Sequence, residues 1–455
     1  MISVKLIAKT DVDPMELSSH AALSCYQAEA PELGKKIDVE NRLFNVGHHT
    51  TLQHNFFTFA IEGIAVGDIT FGFHLTHPFY NSDQRSGRYC AKMFLEPNFS
   101  EIEGYVKKFW PEIKSVERKN VIAYIKKSVG IYHKNIARAS EISKDFLKAE
   151  RPYIQEKSLE MSAPKIAQEQ MRMFIPVIFP TAFDYTINDT VLAAMYRIAW
   201  TPAMRFVVDR MVTEVLKKFP EIAFMFSENK KSKNNWSLEI PSVSAVKIKY
   251  KPRHILLDVS GDKNFIAPDA EKMHPVDLLH FDPMMMNNSI GEFKTRTEIS
   301  IATMGQDQRH RTIRRGIPKF TGSFYFPPIL RKMKLENEAE NLMREWIKIS
   351  KTIPGTLAMI LAPYGTMVAY EKAGSFNAVA HEQAKRLCWC AQEEIYHAGR
   401  ALRFGIEKKK GKNSKLLQMF EPPCYRGGKC AEGARYCGRD LKLRKTGDFF
   451  PKRKA

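Results

Sequence analysis

Apolar and polar positions follow one order twice along this chain. In the first half a β-rich run from His54 through Phe59 and Ile61 to Ile69 leads to Thr76-His77-Pro78, then Ser86-Gly87-Arg88-Tyr89, then Phe94-Leu95-Glu96-Pro97. In the second half Glu292 to Ile301 alternates like a strand or a helix edge, and Arg309-His310-Arg311, Thr321-Gly322-Ser323-Phe324 and Tyr325-Phe326-Pro327-Pro328 follow. Downstream of each series an apolar run ends at a proline, Phe174-Ile175-Pro176 and Ile360-Leu361-Ala362-Pro363, and a helix-like segment comes after each. Such self-similarity predicts two related domains.

The expected fold class is α+β, as two tandem domains, each a mixed sheet with packed helices. The pattern divides the chain into a first domain over 1–225, a linker over 226–240, a second domain over 241–420 and a Cys/Gly-containing basic tail over 421–455. Helices are expected at Pro14–Cys25 and Val39–Val46, in a lysine-rich amphipathic insertion over 101–150, and at Ile187–Phe219, Glu336–Lys351 and Ala378–Phe404. Strands are expected at Val246–Tyr250 and Ile255–Val259, and the polar run Glu228 to Asn235 reads as an exposed linker. The basic stretch Leu441 to Ala455 reads as a frayed end.

At 455 residues and 44% hydrophobic content the chain can bury two or three cores. No segment approaches the roughly 18 consecutive apolar residues of a membrane span, and Met1-Ile2-Ser3-Val4-Lys5 reads as the start of a strand rather than a leader. Seven cysteines without a secretion signal fit a reducing cytoplasm. A formal charge of +20 predicts a surface that steers anions, whether nucleotides or RNA. Cys424, Cys430 and Cys437 lie on glycine-rich turns without a C-x2-C knuckle, so free thiols on an ordered flap are expected and no metal, although Cys388, Cys390 or His397 would complete four zinc ligands. Cys388 and Cys390 themselves read as packing residues in a helix, and His54 and His77 as structural histidines.

The repeated residues resemble the flavin-dependent thymidylate synthases, also called thymidylate synthase complementing proteins, whose signature is Arg-His-Arg-x2-Ser-x4-Ser-x-Arg. Gly47-His48-His49-Thr50-Thr51-Leu52-Gln53-His54 is similar to the family's Gly-His entrance, and Ser86-Gly87-Arg88 to the end of its signature, with Thr76-His77-Pro78 and Asn81 in place of the leading Arg-His-Arg and the first serine. Arg309-His310-Arg311 keeps that leading triplet, whereas Lys319 and Thr321 stand where the second serine and last arginine belong. Arg386-Leu387-Cys388 and Ala391-Gln392-Glu393-Glu394-Ile395 resemble the family's Leu-Arg and Ala-Gln-Trp-Glu-Ile segments. Each half is incomplete, and each keeps what the other lacks.

In that family different subunits of a tetramer contribute to one active site, so the resemblance implies a composite site between the repeats. Ser86, Gly87, Arg88, Arg172, Gln306, Arg309 and Arg386 would bind dUMP, with Arg309 and Ser86 as the catalytic residues; His48, Thr50, Gln53, Asn188, His310 and Arg311 would bind FAD. Departures are Thr190, where an arginine is expected, and Met359, which replaces the second half's copy of Arg172. The residue types suit these roles. Arginine's planar fork meets two phosphate oxygens and stays charged, a serine-glycine turn offers donors close to an anion, and cationic donors stabilise charge on a reduced flavin. The implied enzyme is a methyltransferase converting dUMP to dTMP, with methylenetetrahydrofolate and NADPH as co-substrates, working as a homodimer that forms a pseudo-tetramer. Two alternatives stay open: a degenerate paralogue that binds nucleotide or RNA, and a flavoenzyme that methylates uracil in RNA.

Overall fold

A computed structural model describes residues 2–75, 80–90, 92–260, 292–427, 430, 436–442 and 450–455; Thr76-His77-Pro78 lies outside them. The first half runs β1 (Ser3–Lys9), α1 (Pro14–Leu23), a π-helical turn (Glu40–Phe44), a 3-10 turn (His49–Gln53), β2 (Phe56–Ala65), α2 (Val66–Phe71), β3 (Asn81–Gln84), α3 (Lys92–Leu95), α4 (Phe99–Phe109), α5 (Ser115–Glu150), α6 (Glu156–Met171), β4 (Pro180–Asn188), α7 (Asp189–Ile198) and α8 (Pro202–Leu216). The second runs β5 (Lys247–Lys249), β6 (Arg253–Val259), β7 (Glu292–Ser300), α9 (Ile301–Asp307), β8 (Arg314–Arg315), β9 (Lys319–Tyr325), α10 (Pro328–Met333), α11 (Glu336–Ser350), α12 (Gly355–Ile360), β10 (Thr366–Ser375), α13 (Phe376–Arg386), α14 (Glu393–Lys410) and α15 (Pro423–Gly427).

Each half is built round a sheet. The first has the order β1-β2-β4-β3 and is antiparallel throughout, not mixed as expected. The second has the order β5-β9-β10-β7-β6 with β8 also on β10, and it is mixed because β5 and β9 are parallel. In both, a strand runs straight into a helix: β2 into α2 and β7 into α9, β4 into α7 and β10 into α13. The pairing registers make these units correspond, since Ala65 opposes Pro180 at the end of β2 as Ser300 opposes Met367 at the end of β7.

The halves meet along a short two-fold seam. Pro176 and Pro363 form an antiparallel bridge. On either side of it Val177 N–H donates to the Ala362 carbonyl at 3.0 Å and Tyr364 N–H to the Ile175 carbonyl at 2.8 Å. The same two residues then accept from the neighbouring helices: Gly67 N–H donates to Val177 and Ala302 N–H to Tyr364. These donors and acceptors are buried, so each must find a protein partner; the Val177 and Tyr364 N–H groups find it in the opposite half, and their carbonyls within their own. One core cluster accordingly takes in side chains of both halves, including Phe71, Val177, Ile301, Ile360 and Leu361.

Several expected elements differ. Each apolar run that ends at a proline leads into a strand, β4 or β10, before any helix; the alternating burial of Pro180–Asn188 is the period of a half-buried strand. The helix expected over Ile187–Phe219 therefore starts at Asp189, and it breaks into α7 and α8 where Thr201 caps the Met204 N–H and Pro202 opens the next helix. The 101–150 insertion is two helices, broken at Trp110. Ala378–Phe404 is likewise two, α13 and α14, so Cys388 and Cys390 sit on the connecting loop and not in a helix. Val39–Val46 reduces to one π-helical turn. His54 is exposed rather than inside the fold. Within the supposed linker Leu238 is buried and Trp236 packs edge-on against Trp200. The last residues are docked, not frayed: Phe450, Arg453 and Ala455 are buried. Arg453 donates to the carbonyls of Trp389, Ala391 and Ala455. A basic side chain can be drawn inward by loop carbonyls that a charge pattern does not reveal.

Gly67 is a point of close approach between the halves. A Cβ there would lie 2.7 Å from Ile360 Cγ2 and 2.9 Å from Val177 Cγ2. Gly67→Ala is expected to lower unfolding free energy by about 1–3 kcal/mol through overpacking, measured by urea denaturation; unchanged stability would mean that the halves are not closely seated at this point.

Candidate functional site

The seam brings two chain reversals together. After β3 the segment Ser86–Arg88 forms a tight turn: the Ser86 carbonyl accepts from Tyr89 and Cys90 N–H, and Ser86 Oγ accepts from Arg88 N–H at 3.2 Å, leaving the hydroxyl proton to donate elsewhere. The last turn of α6 lies beside it. Gln168 Nε2 donates to the Gly87 carbonyl at 2.8 Å, Glu169 pairs with Arg88 Nε, and Arg172 follows directly. Gly87 is needed here, because a Cβ would come within 3.3 Å of the Arg172 guanidinium. Opposite, the second half supplies Gln306 and Arg309 at the end of α9 and Arg386 at the end of α13.

A cavity of about 220 Å3 is lined by Ser86, Gly87, Arg88, Arg172, Gln306, Arg309 and Arg386. All seven residues assigned to dUMP thus share one pocket, four from one half and three from the other. Residues that sequence reasoning missed are Arg85 and Tyr364 on the wall, and two positioning groups behind it, Glu169 and Gln392. Gln392 Oε1 accepts both from Arg172, at 3.2 Å, and from Gln306 Nε2, tying one half to the other. The Ala391-Gln392-Glu393 segment had been matched to the family, so the signal for Gln392 was present.

The pocket's charge is poorly screened. Arg172 is 5% exposed, lies over the Tyr364 ring at 5.0 Å, and has its pKa pushed down by burial. Burial brings Arg386 down to about 10 while it donates to the Gln306 carbonyl. Arg309 is lowered by burial and then by neighbouring Arg311, and its guanidinium is spread over the Ser82 and Gln84 carbonyls and Asp83. Arg172 Nε, Arg386 Nε and Gln306 Oε1 are buried without a partner, a costly state for polar atoms unless a ligand meets them.

The residues assigned to FAD gather at the other end of β3. Arg311 donates to Asn81 Oδ1 at 2.7 Å and lies over the Tyr80 ring at 5.0 Å. Asn81 opposes Thr186 on β4, two residues before Asn188, and Phe56, next after the 3-10 turn that holds Thr50 and Gln53, opposes Asn188 itself. From Asn81 to Gln84 is about 10 Å at the usual strand rise, so the two sets are neighbours. His48 and Thr50 are exposed and Gln53 is half-buried. Asn188 already caps α7 through its Oδ1, which accepts from Val191 N–H at 3.0 Å, and only its amide nitrogen is free. His310 is buried, its ring edge-on to His381 with centroids 5.4 Å apart, and kept neutral by burial; neither ring nitrogen has a partner.

Two buried acidic clusters hold these side chains in place. At the end of α9 Asp307 takes Arg315 Nε at 2.5 Å, Lys372 Nζ at 2.5 Å and the Tyr370 hydroxyl at 2.8 Å, and Lys372 also reaches Glu382 at 2.6 Å. At the start of α9 Glu394 accepts from Ser300 N–H at 2.7 Å and from the hydroxyls of Ser300 and Thr303. Burial nonetheless pushes Glu394 up to about 7.

Residues 5–221 match the family model described as thymidylate synthase complementing protein. No curated protein matches the chain. Among solved structures, thymidylate synthase X from Helicobacter pylori with FAD and dUMP is 18% identical, the match covering 51% of this chain and 100% of that one, with a TM-score of 0.30. A UMP/dUMP methylase from Streptomyces cacaoi bound with 5-Br dUMP is 16% identical over 48% of this chain and 92% of its own, with a TM-score of 0.32.

Because the folded pKa of Glu394 lies above that of an unfolded glutamate, its contribution favours the fold at low pH. That contribution is lost as pH rises from about 4.5 to about 7, on the order of 3 kcal/mol in total. Glu394→Gln is expected to flatten this loss in urea midpoints measured across that window; an identical pH profile in the variant would contradict a buried, proton-holding Glu394.

Proposed function

We propose that this chain, whose residues 5–221 match the model of the thymidylate synthase complementing protein family, methylates dUMP to dTMP at one site shared by two tandem repeats. In this reading 1–225 and 241–420 descend from one duplicated domain, and each copy has kept one part of the signature. The observation that carries it is the shared pocket: Ser86, Gly87, Arg88 and Arg172 face Gln306, Arg309 and Arg386.

The chemistry follows from what lines the pocket. A nucleotide monophosphate carries roughly two negative charges at neutral pH. Arg88, held in place by Glu169, and Arg172, packed on Gly87, present guanidinium forks to it, while Ser86 donates its hydroxyl. The unpaired Gln306 oxygen is a ready acceptor for an imide N–H of uracil, and Gln392 keeps that amide oriented. Arg309 supplies positive charge where negative charge develops on the ring, and in a desolvated pocket that charge acts strongly. Among the described residues no cysteine lines the pocket, so activation of the ring falls to cationic groups and not to a thiolate.

For FAD, His310 with two unpaired ring nitrogens and Arg311 with an unpaired Nε fit a polar heterocycle on one side; His48, Thr50, Gln53 and the free amide of Asn188 would hold it on the other. When bound, FAD supplies the hydride that completes reduction of the carbon delivered by methylenetetrahydrofolate, with NADPH as its reductant. The exposure of His48 and Thr50 leaves room for a second copy of the chain to close this side, as a homodimer that works as a pseudo-tetramer.

The formal charge of +20 favours a second reading, a scaffold that binds RNA without turnover. Purified protein separates the two: a yellow preparation bleached by NADPH only with dUMP present supports the enzyme, and a colourless one that binds RNA with steep salt dependence supports the scaffold. Arg88→Ala and Arg309→Ala, although in different halves, are each expected to weaken dUMP binding by about 1.5–3 kcal/mol in titration calorimetry. Wild-type affinity in either variant removes that residue from the site.

A further inference from the structure

A second and larger cavity, of about 620 Å3, opens on the far side of the α14 N-terminus and shares no wall residue with the first. Its walls come from the β5–β6 turn, α10, α14 and the docked residues Lys452–Lys454. Basic side chains dominate it. Lys251, Arg331 and Lys332 face in from one side and Lys452 and Lys454 from the other, whereas the one acidic residue of the lining is Glu393. That carboxylate is already used: it takes the Tyr325 hydroxyl at 2.7 Å and His397 Nδ1 at 2.6 Å. His397 in turn accepts the Arg453 backbone N–H on Nε2 at 3.0 Å, which fixes it as the neutral tautomer with its proton toward Glu393. Among the described residues Lys251, Lys332 and Lys452 form no ion pair. The described lining therefore holds more basic than acidic side chains, with Glu393 its one carboxylate.

Aromatic faces accompany the charge. Arg331 lies over the half-exposed Tyr250 ring at 4.9 Å, with Phe326 edge-on to Tyr250 at 6.0 Å, and Lys454 lies over Phe146 at 5.2 Å. A simple polyanion has no use for these rings. A planar base attached to several phosphates uses both, by stacking on rings and guanidinium planes and by charge-assisted hydrogen bonds to the lysines. The volume lies within the range of about 300–1,000 Å3 that encloses one ligand of this size.

We propose that this cavity binds one nucleotide carrying two or more phosphates per chain, whether a nucleoside triphosphate acting as effector or a phosphorylated pyridine dinucleotide. The site does not depend on the proposed methylation. The test is titration calorimetry on the full chain, with dUMP saturating the first pocket, using ATP, NADPH and inorganic tripolyphosphate as separate probes. ATP or NADPH is expected to bind with a stoichiometry of one, at least tenfold tighter than tripolyphosphate, and the tighter of the two names the source. The double variant Arg331→Ala/Lys332→Ala, on exposed positions of a short helix, is expected to lose at least tenfold in that affinity, with its dUMP affinity and melting temperature unchanged. The proposal is overturned if neither nucleotide binds, if the double variant binds like wild type, or if tripolyphosphate binds as tightly as the nucleotides.

Discussion

Two reciprocal backbone hydrogen bonds, Val177 to Ala362 and Tyr364 to Ile175, are the constraint on which the rest of the molecule depends. They are buried, and each runs from the residue after the proline of one half to the residue before the proline of the other. Because α2 and α9 are tied to the same two residues, the seam also sets the direction in which α9 ends and in which α6 delivers Arg172. A pocket between the halves follows from that geometry, and neither half supplies enough of its wall alone.

Charge is what the pocket concentrates and what the fold must hold in place. Five arginines, Arg85, Arg88, Arg172, Arg309 and Arg386, converge on a small volume, where their mutual repulsion has to be offset. Glu169 takes part of Arg88, the β3 carbonyls and Asp83 take part of Arg309, and Gln392 and the Tyr364 ring take part of Arg172. The offset is incomplete, and the unpaired Nε atoms of Arg172 and Arg386 mark where an anion completes it. Asp307, paired with Arg315 and Lys372 at the end of α9, also acts through its charge on Arg386 of the pocket.

Much of this was legible in the sequence, and what was not has physical reasons. Arg172 could be found because it precedes Ile175-Pro176, and Met359 stands at the same distance before Pro363. The β2 and β7 patterns, α1, β5, β6 and α11 were visible as periodicity. By contrast Pro180–Asn188 and Thr366–Ser375 were not read as strands, since a strand buried on one face and followed at once by a helix has no turn residues to mark its end. The loop from Leu387 to Gln392 is apolar because it packs inside, and its composition imitates a helix. The docking of Arg453 depends on carbonyls of that loop, and the contact of Gln392 with Arg172 and Gln306 joins residues far apart in the chain. Neither leaves a local trace.

The most direct test of the composite site is a crystal structure of the full chain soaked with dUMP. The account predicts nucleotide density in the pocket between Gly87 and Gln306, with its phosphate on Arg88 and Arg172 and its base on the side of Gln306 and Arg309. Density contacted by residues of one half alone, or lying outside that pocket, would contradict it.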